Sequence, residues 1–147
     1  MQLSLNFDSS EFKCPCKKCK DIEPKVSSLL IFKLEMLRTA LGDKPIYISS
    51  GVRCEEYNKT VDGFVHSAHL TGEAADIKMV EFDPIEIGLV AEKLGDLRIG
   101  LADSYVHLDI QKPRPSKYWI YETNVIYSGS IENESLLRFY QIIKEGR

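Results

Sequence analysis

Long apolar runs are missing from this 147-residue sequence, and no stretch approaches the roughly 20 apolar residues that a membrane span needs. The opening segment MQLSLNFDSSEF has neither a basic start nor an apolar stretch. It does not read as a secretory signal, so the chain is expected to stay soluble and to begin in the cytoplasm. A strong charge of one sign is also missing: 19 Lys and Arg face 22 Asp and Glu, for a net charge of −3, and the basic residues are spread through the chain. That distribution argues against nucleic acid or an anionic membrane as a partner. Internal repeats and low-complexity tracts are absent as well. What remains, 44% hydrophobic and 28% charged, suits one globular domain with a real core, expected over the whole chain and as a monomer.

Histidine and cysteine are sparse, and both are placed unevenly. Cys14, Cys16 and Cys19 crowd into CPCKKC, while Cys54 stands alone. Without a secretory signal the thiols are expected to be reduced. They read as free thiols or packing disulfides, or alternatively as a structural metal site with Cys54 as fourth ligand, although such sites normally use two paired CxxC elements. The three histidines are His66, His69 and His107.

Hydrophobic periodicity predicts the regular elements. VSSLLIFKLEMLRTALG repeats apolar residues at Leu30, Leu34, Leu37 and Leu41, close to a 3.6-residue period, with Gly42 as a stop, which is an amphipathic helix. KPIYISSG reads as a short strand, and VRCEEYNKTVDGFVH as a loop with some helix. EAADIKMV alternates, with Ala75, Ile77 and Met79 on one face and Asp76 on the other. DPIEIGLVAEKLG has the punctuation of a second helix. SYVHLDI alternates again, with Val106, Leu108 and Ile110 opposite Tyr105, His107 and Asp109. QKPRPSKYWIYE, broken by two prolines, reads as a loop leading to an edge segment. ESLLRFYQIIKEG reads as a closing helix buried through Leu136, Leu137, Tyr140 and Ile143. This order predicts an α+β fold with a small antiparallel sheet.

Asp76 and His107 thus fall on the polar sides of two predicted strands, and His69 lies in the loop that feeds the first of them. Two imidazoles and a carboxylate brought together suit a divalent cation, and zinc in catalytic sites takes three such protein ligands, leaving a position for water. A mononuclear iron oxygenase uses a similar triad, and HLD at 107–109 has its local look. Those enzymes usually place their second histidine downstream of HxD, and no histidine follows His107 here.

The segment SAHLTGEAADI resembles the SxHxxGxAxD signature of the M15 zinc peptidases, the D-alanyl-D-alanine carboxypeptidase group, whose fold is similar to the hedgehog signalling domain. FKCPCKKC looks like the family's cysteine-bearing amino end, IYISSGVRCEEYN like its SGxR segment followed by Asn, and YVHLDI like its closing HxD strand. The motifs keep the family's order over about residues 7–122, and 123–147 reads as an extension. The resemblance implies a small sheet with helices packed on one side, Zn2+ held by His69, Asp76 and His107, and Arg53 aimed at the substrate. It also implies hydrolysis of a peptide bond in peptidoglycan stem peptides, by carboxypeptidase or endopeptidase action. A phage or prophage protein would meet such a substrate through lysis or particle assembly.

One family position departs from the pattern. Many M15 members carry Glu or Asp three residues before the last metal histidine, where this chain has Ser104. Asp109, on the same strand face as His107, is the favoured general base, with Asp103 the second choice; Asp109 alternatively orients a metal-bound histidine from outside. Ser67 and Tyr105 are expected to line the substrate cleft, with Trp119 as a further wall, while His66 falls outside the matched signature. The missing acid at 104 also leaves room for a binding module that keeps the zinc site without turnover.

Overall fold

The computed structural model describes residues 1–112, 118–121, 126–127, 131 and 134–146. In chain order the elements are α1 (Ser28–Ala40), β1 (Tyr47–Ser50), α2 (Glu55–Thr60), β2 (Ala74–Lys78), α3 (Pro84–Leu94), β3 (Arg98–Leu101), β4 (Val106–Asp109), β5 (Tyr118–Ile120), β6 (Ile126–Tyr127) and α4 (Glu134–Glu145). The strands form one sheet in the order β1-β2-β4-β3-β5-β6, antiparallel throughout except for the parallel pair β3–β5. The architecture is α+β, as expected.

Local sequence explains where the helices begin and end. In α1 the apolar residues Leu30, Leu34 and Leu37 are buried, and the chain leaves the helix through Gly42 at φ +76°, a left-handed conformation that glycine adopts without a Cβ penalty. The α3 helix starts with a capping box. Asp83 Oδ1 accepts from Ile85 N and Glu86 N at 3.0 Å each, Glu86 Oε2 accepts from Asp83 N at 2.8 Å, and Pro84 occupies the first turn.

Strand register divides the sheet into two faces. Ala75 lies opposite Leu108 and Leu108 opposite Ile99, while Ile77 lies opposite Val106 and Val106 opposite Leu101. These side chains are buried, and α3 packs against β3 and β4 with α1 against α3. The adjacent rows alternate to the other face: Asp76 opposite His107, His107 opposite Gly100, and Gly100 opposite Trp119. Pleating at a period of two therefore separates an apolar core from a polar row by single-residue steps.

Two readings of the sequence need correction. The four-residue strand β3, RIGL, was not anticipated. Gly100 at its centre weakens the local strand signal, but the glycine is required, because a Cβ there would lie 2.7 Å from the Trp119 indole. Trp119 belongs to no edge segment either: β5 lies between β3 and β6. In α4, Tyr140 is buried and its hydroxyl donates to Ala102 O at 2.8 Å, and Leu137 packs half-buried against the core. The expected partners Leu136 and Ile143 lie outside the described side chains, as does the loop at 113–117. No helix among the described residues is long and apolar enough to cross a membrane.

Leu108, 1% exposed, fills the core immediately beneath the polar row. Leu108→Ala is expected to lower unfolding free energy by about 2–5 kcal/mol, read from urea denaturation; a loss under about 1 kcal/mol would contradict this account of the core.

Candidate metal centre

Three short segments deliver the central side chains. His69 sits on a 3-10 turn, Ala68–Thr71, capped by Ser67, whose Oγ accepts from His69 N at 3.2 Å. Gly72 closes that turn at φ +72°, and a Cβ there would meet Lys25 O at 1.9 Å, so the chain can enter β2 at this point only with glycine. Asp76 and His107 then project side by side from the paired strands β2 and β4. The three residues are nearly fully buried.

Their inner atoms converge. His69 Nε2 lies 3.2 Å from Asp76 Oδ1 and 3.2 Å from His107 Nδ1, and His107 Nδ1 lies 2.9 Å from Asp76 Oδ1. A tetrahedral zinc ion with ligand bonds of 2.0–2.1 Å separates its donors by roughly 3.3–3.4 Å. The observed triangle is close to that size, and together the three donors can hold one metal ion.

Outer partners fix which ring nitrogens face inward. The Gly51 carbonyl lies 2.6 Å from His69 Nδ1, and Asp109 Oδ2 lies 2.8 Å from His107 Nε2. A carbonyl and a carboxylate only accept, so these two nitrogens carry the protons of the neutral rings. His69 Nε2 and His107 Nδ1 are then left with bare lone pairs pointing at one another, an arrangement that a cation or a shared proton must stabilise. When a proton instead of a metal ion occupies an inner ring nitrogen, that nitrogen donates to Asp76; burial opposes the carboxylate charge, but such hydrogen bonds from His107 and His69 outweigh it and hold the carboxyl below its ordinary range. Burial likewise disfavours His107 as a cation, and the adjoining Asp109 and Asp76 overcome this to raise its pKa.

The remaining expected residues fall into distinct places. Arg53 is 15% exposed at the side chain; its Nη2 donates to Asp76 Oδ2 at 3.2 Å, Nε to Ser50 Oγ at 3.1 Å and Nη1 to Asn58 Oδ1 at 3.4 Å. This is a built-in partner of Asp76, with Arg53 N also donating to His69 O at 3.0 Å. Asp109, favoured from sequence as the general base, is 2% exposed and has both oxygens engaged: Oδ2 with His107, and Oδ1 accepting from Gln111 N at 3.0 Å with Arg98 Nε at 3.5 Å. It stands behind His107, away from the convergent side. Asp103 is exposed in the turn between β3 and β4. Tyr105 is half-buried with its ring 5.6 Å from that of Tyr121, and burial followed by the charge of Asp76 raises its pKa. The Trp119 ring lies 5.3 Å from that of His107 and 5.6 Å from the Arg98 guanidinium, forming a wall. His66 is exposed, and its carbonyl accepts from Gln111 Nε2.

Two contributors escaped the sequence reading. The Gly51 carbonyl has no side-chain signal, and Arg98 lies on the unanticipated strand β3.

The Peptidase M15 family model matches residues 5–109. A zinc D-Ala-D-Ala carboxypeptidase of Streptomyces albus G is 43% identical over 47 residues, which is 32% of this chain and 18% of the relative. The chain therefore matches less than a fifth of that relative's length.

Because Asp109 orients His107, Asp109→Asn is expected to weaken zinc affinity about 10–100-fold, measured by competition with a chromophoric chelator. An unchanged affinity would remove Asp109 from the site's support.

Proposed function

The chain belongs to the Peptidase M15 family, and from that premise we propose that it is a zinc-dependent hydrolase of peptide bonds in peptidoglycan stem peptides that end in D-Ala-D-Ala. The observation that carries the reading is the convergence of two imidazole lone pairs and the Asp76 carboxylate, each braced from outside. The similarity to a zinc D-Ala-D-Ala carboxypeptidase supports the choice of metal and substrate.

His69 Nε2, Asp76 Oδ1 and His107 Nδ1 hold the zinc ion, which when bound supplies Lewis acidity for a carbonyl and lowers the pKa of water. Arg53 holds Asp76 in place through Oδ2. Among the described residues, three of its five N–H donors have partners, and the other two serve the substrate, as a clamp on a terminal carboxylate or a charge beside the developing oxyanion. We assign Tyr105 and Ser67 to the substrate side; burial first and then the Asp76 charge raise the pKa of the Tyr105 hydroxyl. Asp109 acts as a positioning residue for His107. The proton carrier is assigned to Asp103, the exposed carboxylate in the turn that leads into β4. Contact with cell wall would follow from lysis or from assembly into a phage particle.

The test is incubation of zinc-loaded protein with a synthetic stem pentapeptide ending in D-Ala-D-Ala, with products identified by mass spectrometry. Release of D-Ala, or of a shorter fragment for endopeptidase action, is expected. His69→Ala should abolish it, and Asp103→Asn should lower kcat about 100-fold or more with zinc content unchanged. Zinc bound at His69 without hydrolysis of any stem peptide would leave a zinc-containing binding module as the better reading, and full activity of Asp103→Asn would exclude Asp103 as the proton carrier.

In the same assay Arg53→Ala is expected to raise KM at least about 10-fold, since a charge-assisted bond to a carboxylate is worth about 1.5–3 kcal/mol. An unchanged KM would confine Arg53 to bracing Asp76.

A further inference from the structure

The four cysteines lie outside this site and form a cluster of their own. Cys16 opens a 3-10 turn, Lys17–Cys19, with Cys19 N donating to Cys16 O at 3.1 Å, so one CxxC pair is folded back on itself. The other pair is assembled in space. Residues 12–14 run against residues 51–54, where Val52 N donates to Phe12 O at 2.8 Å and Gly51 is packed so closely that a Cβ would lie 2.5 Å from Phe12 Cα. This brings Cys14 beside Cys54, and Cys54 N lies 3.5 Å from Cys14 Sγ.

We infer that Cys14, Cys16, Cys19 and Cys54 bind a second, structural zinc ion. All four sulfurs lie within 4.8 Å of one another, with Cys16 Sγ 3.5 Å and Cys14 Sγ 3.8 Å from Cys54 Sγ. A tetrahedral ion with Zn–S bonds of about 2.3 Å spaces its sulfurs by roughly 3.8 Å, whereas a disulfide would need about 2.0 Å. The four cysteines are free thiols, and a mutual spacing of this kind among all four is what a central ion requires and what two disulfides would not give. Backbone N–H groups already point at the sulfurs: besides Cys54 N, Tyr57 N donates to Cys54 Sγ at 3.4 Å, as suits thiolates. Lys17 and Lys18 lie within the CPCKKC segment and Lys13 and Lys20 flank it, and they offset the two negative charges left when four thiolates bind Zn2+. Lys18 also ties the turn to α2 through Glu56 at 2.8 Å. On binding, each thiol gives its proton to solvent and its sulfur lone pair to the metal.

The placement gives the second ion a role. Cys54 directly follows Arg53 and caps the start of α2, which carries Asn58, a partner of the Arg53 guanidinium. Gly51, in the same strap, supplies the carbonyl that orients His69. A zinc ion here pins the segment from 51 to 58 against the amino-terminal strap and so holds Arg53 and His69 in register.

The test is metal content of the full chain purified under reducing, chelator-free conditions. Two zinc ions per chain are expected in the wild type, one in His69→Ala, one in Cys16→Ser and none in the combined variant. Cobalt loaded into His69→Ala should show an intense thiolate-to-cobalt charge-transfer band with tetrahedral d–d bands, a signature independent of whether Cys16→Ser folds. A wild type with one zinc that is lost entirely in His69→Ala would overturn the inference, as would cobalt-loaded His69→Ala lacking the charge-transfer band. The His69 count reports on the peptidase centre separately, so failure of either site is distinguishable from failure of the other.

Discussion

The pairing of β2 with β4 is the constraint on which the centre depends. Asp76 lies directly opposite His107 in that ladder, and cross-strand neighbours of this kind are about 4.5–5.5 Å apart at Cβ, which lets one oxygen and one nitrogen meet without any loop having to hold them. A slip of one residue would send both side chains into the core and put Ala75 and Leu108 on the polar row. The buried apolar face, Ile77 and Val106 with Leu108 and Ile99, therefore fixes the chemistry of the opposite face by refusing every other register.

The third ligand comes from outside the sheet, and the structure compensates with close packing and hydrogen bonds. Gly72 lets the His69 turn reach β2, Ser67 caps it, and the Gly51 carbonyl sets the ring. Each inner donor has an outer partner: Gly51 for His69, Asp109 for His107 and Arg53 for Asp76. These partners have partners in turn, with Gln111 N and Arg98 at Asp109 and Ser50 and Asn58 at Arg53. Buried polar groups held in this way are preorganised to receive a cation at little cost in rearrangement.

Much of this was legible because alternation is a strong signal. EAADI and YVHLDI each announced which residues share a face, and Asp76 and His107 are on the expected one. What alternation could not supply was distance along the face. Asp109 shares its side of β4 with His107, but two residues of strand advance the chain by about 7 Å, which places Asp109 opposite Ala74 and Arg98 and behind the imidazole, not among the inner donors. Strand β3 was missed for a related reason: its pattern is short and interrupted by Gly100, whose value lies in making room for Trp119, a contact distant in sequence. The cysteines were legible as a cluster with alternatives open, since the pairing of Cys14 with Cys54 depends on a strap crossing that no local spacing encodes.

The central claim is that outer hydrogen bonds select His69 Nε2 and His107 Nδ1 as ligands. Long-range 1H–15N correlation spectra of protein labelled with 15N-histidine, recorded with and without zinc, test it directly. The account predicts opposite patterns for the two rings, with zinc-dependent shifts at Nε2 of His69 and at Nδ1 of His107 and a retained proton on the other nitrogen of each. A proton on Nδ1 of His107 in the zinc-loaded protein, or ring nitrogens that do not respond to zinc, would contradict it.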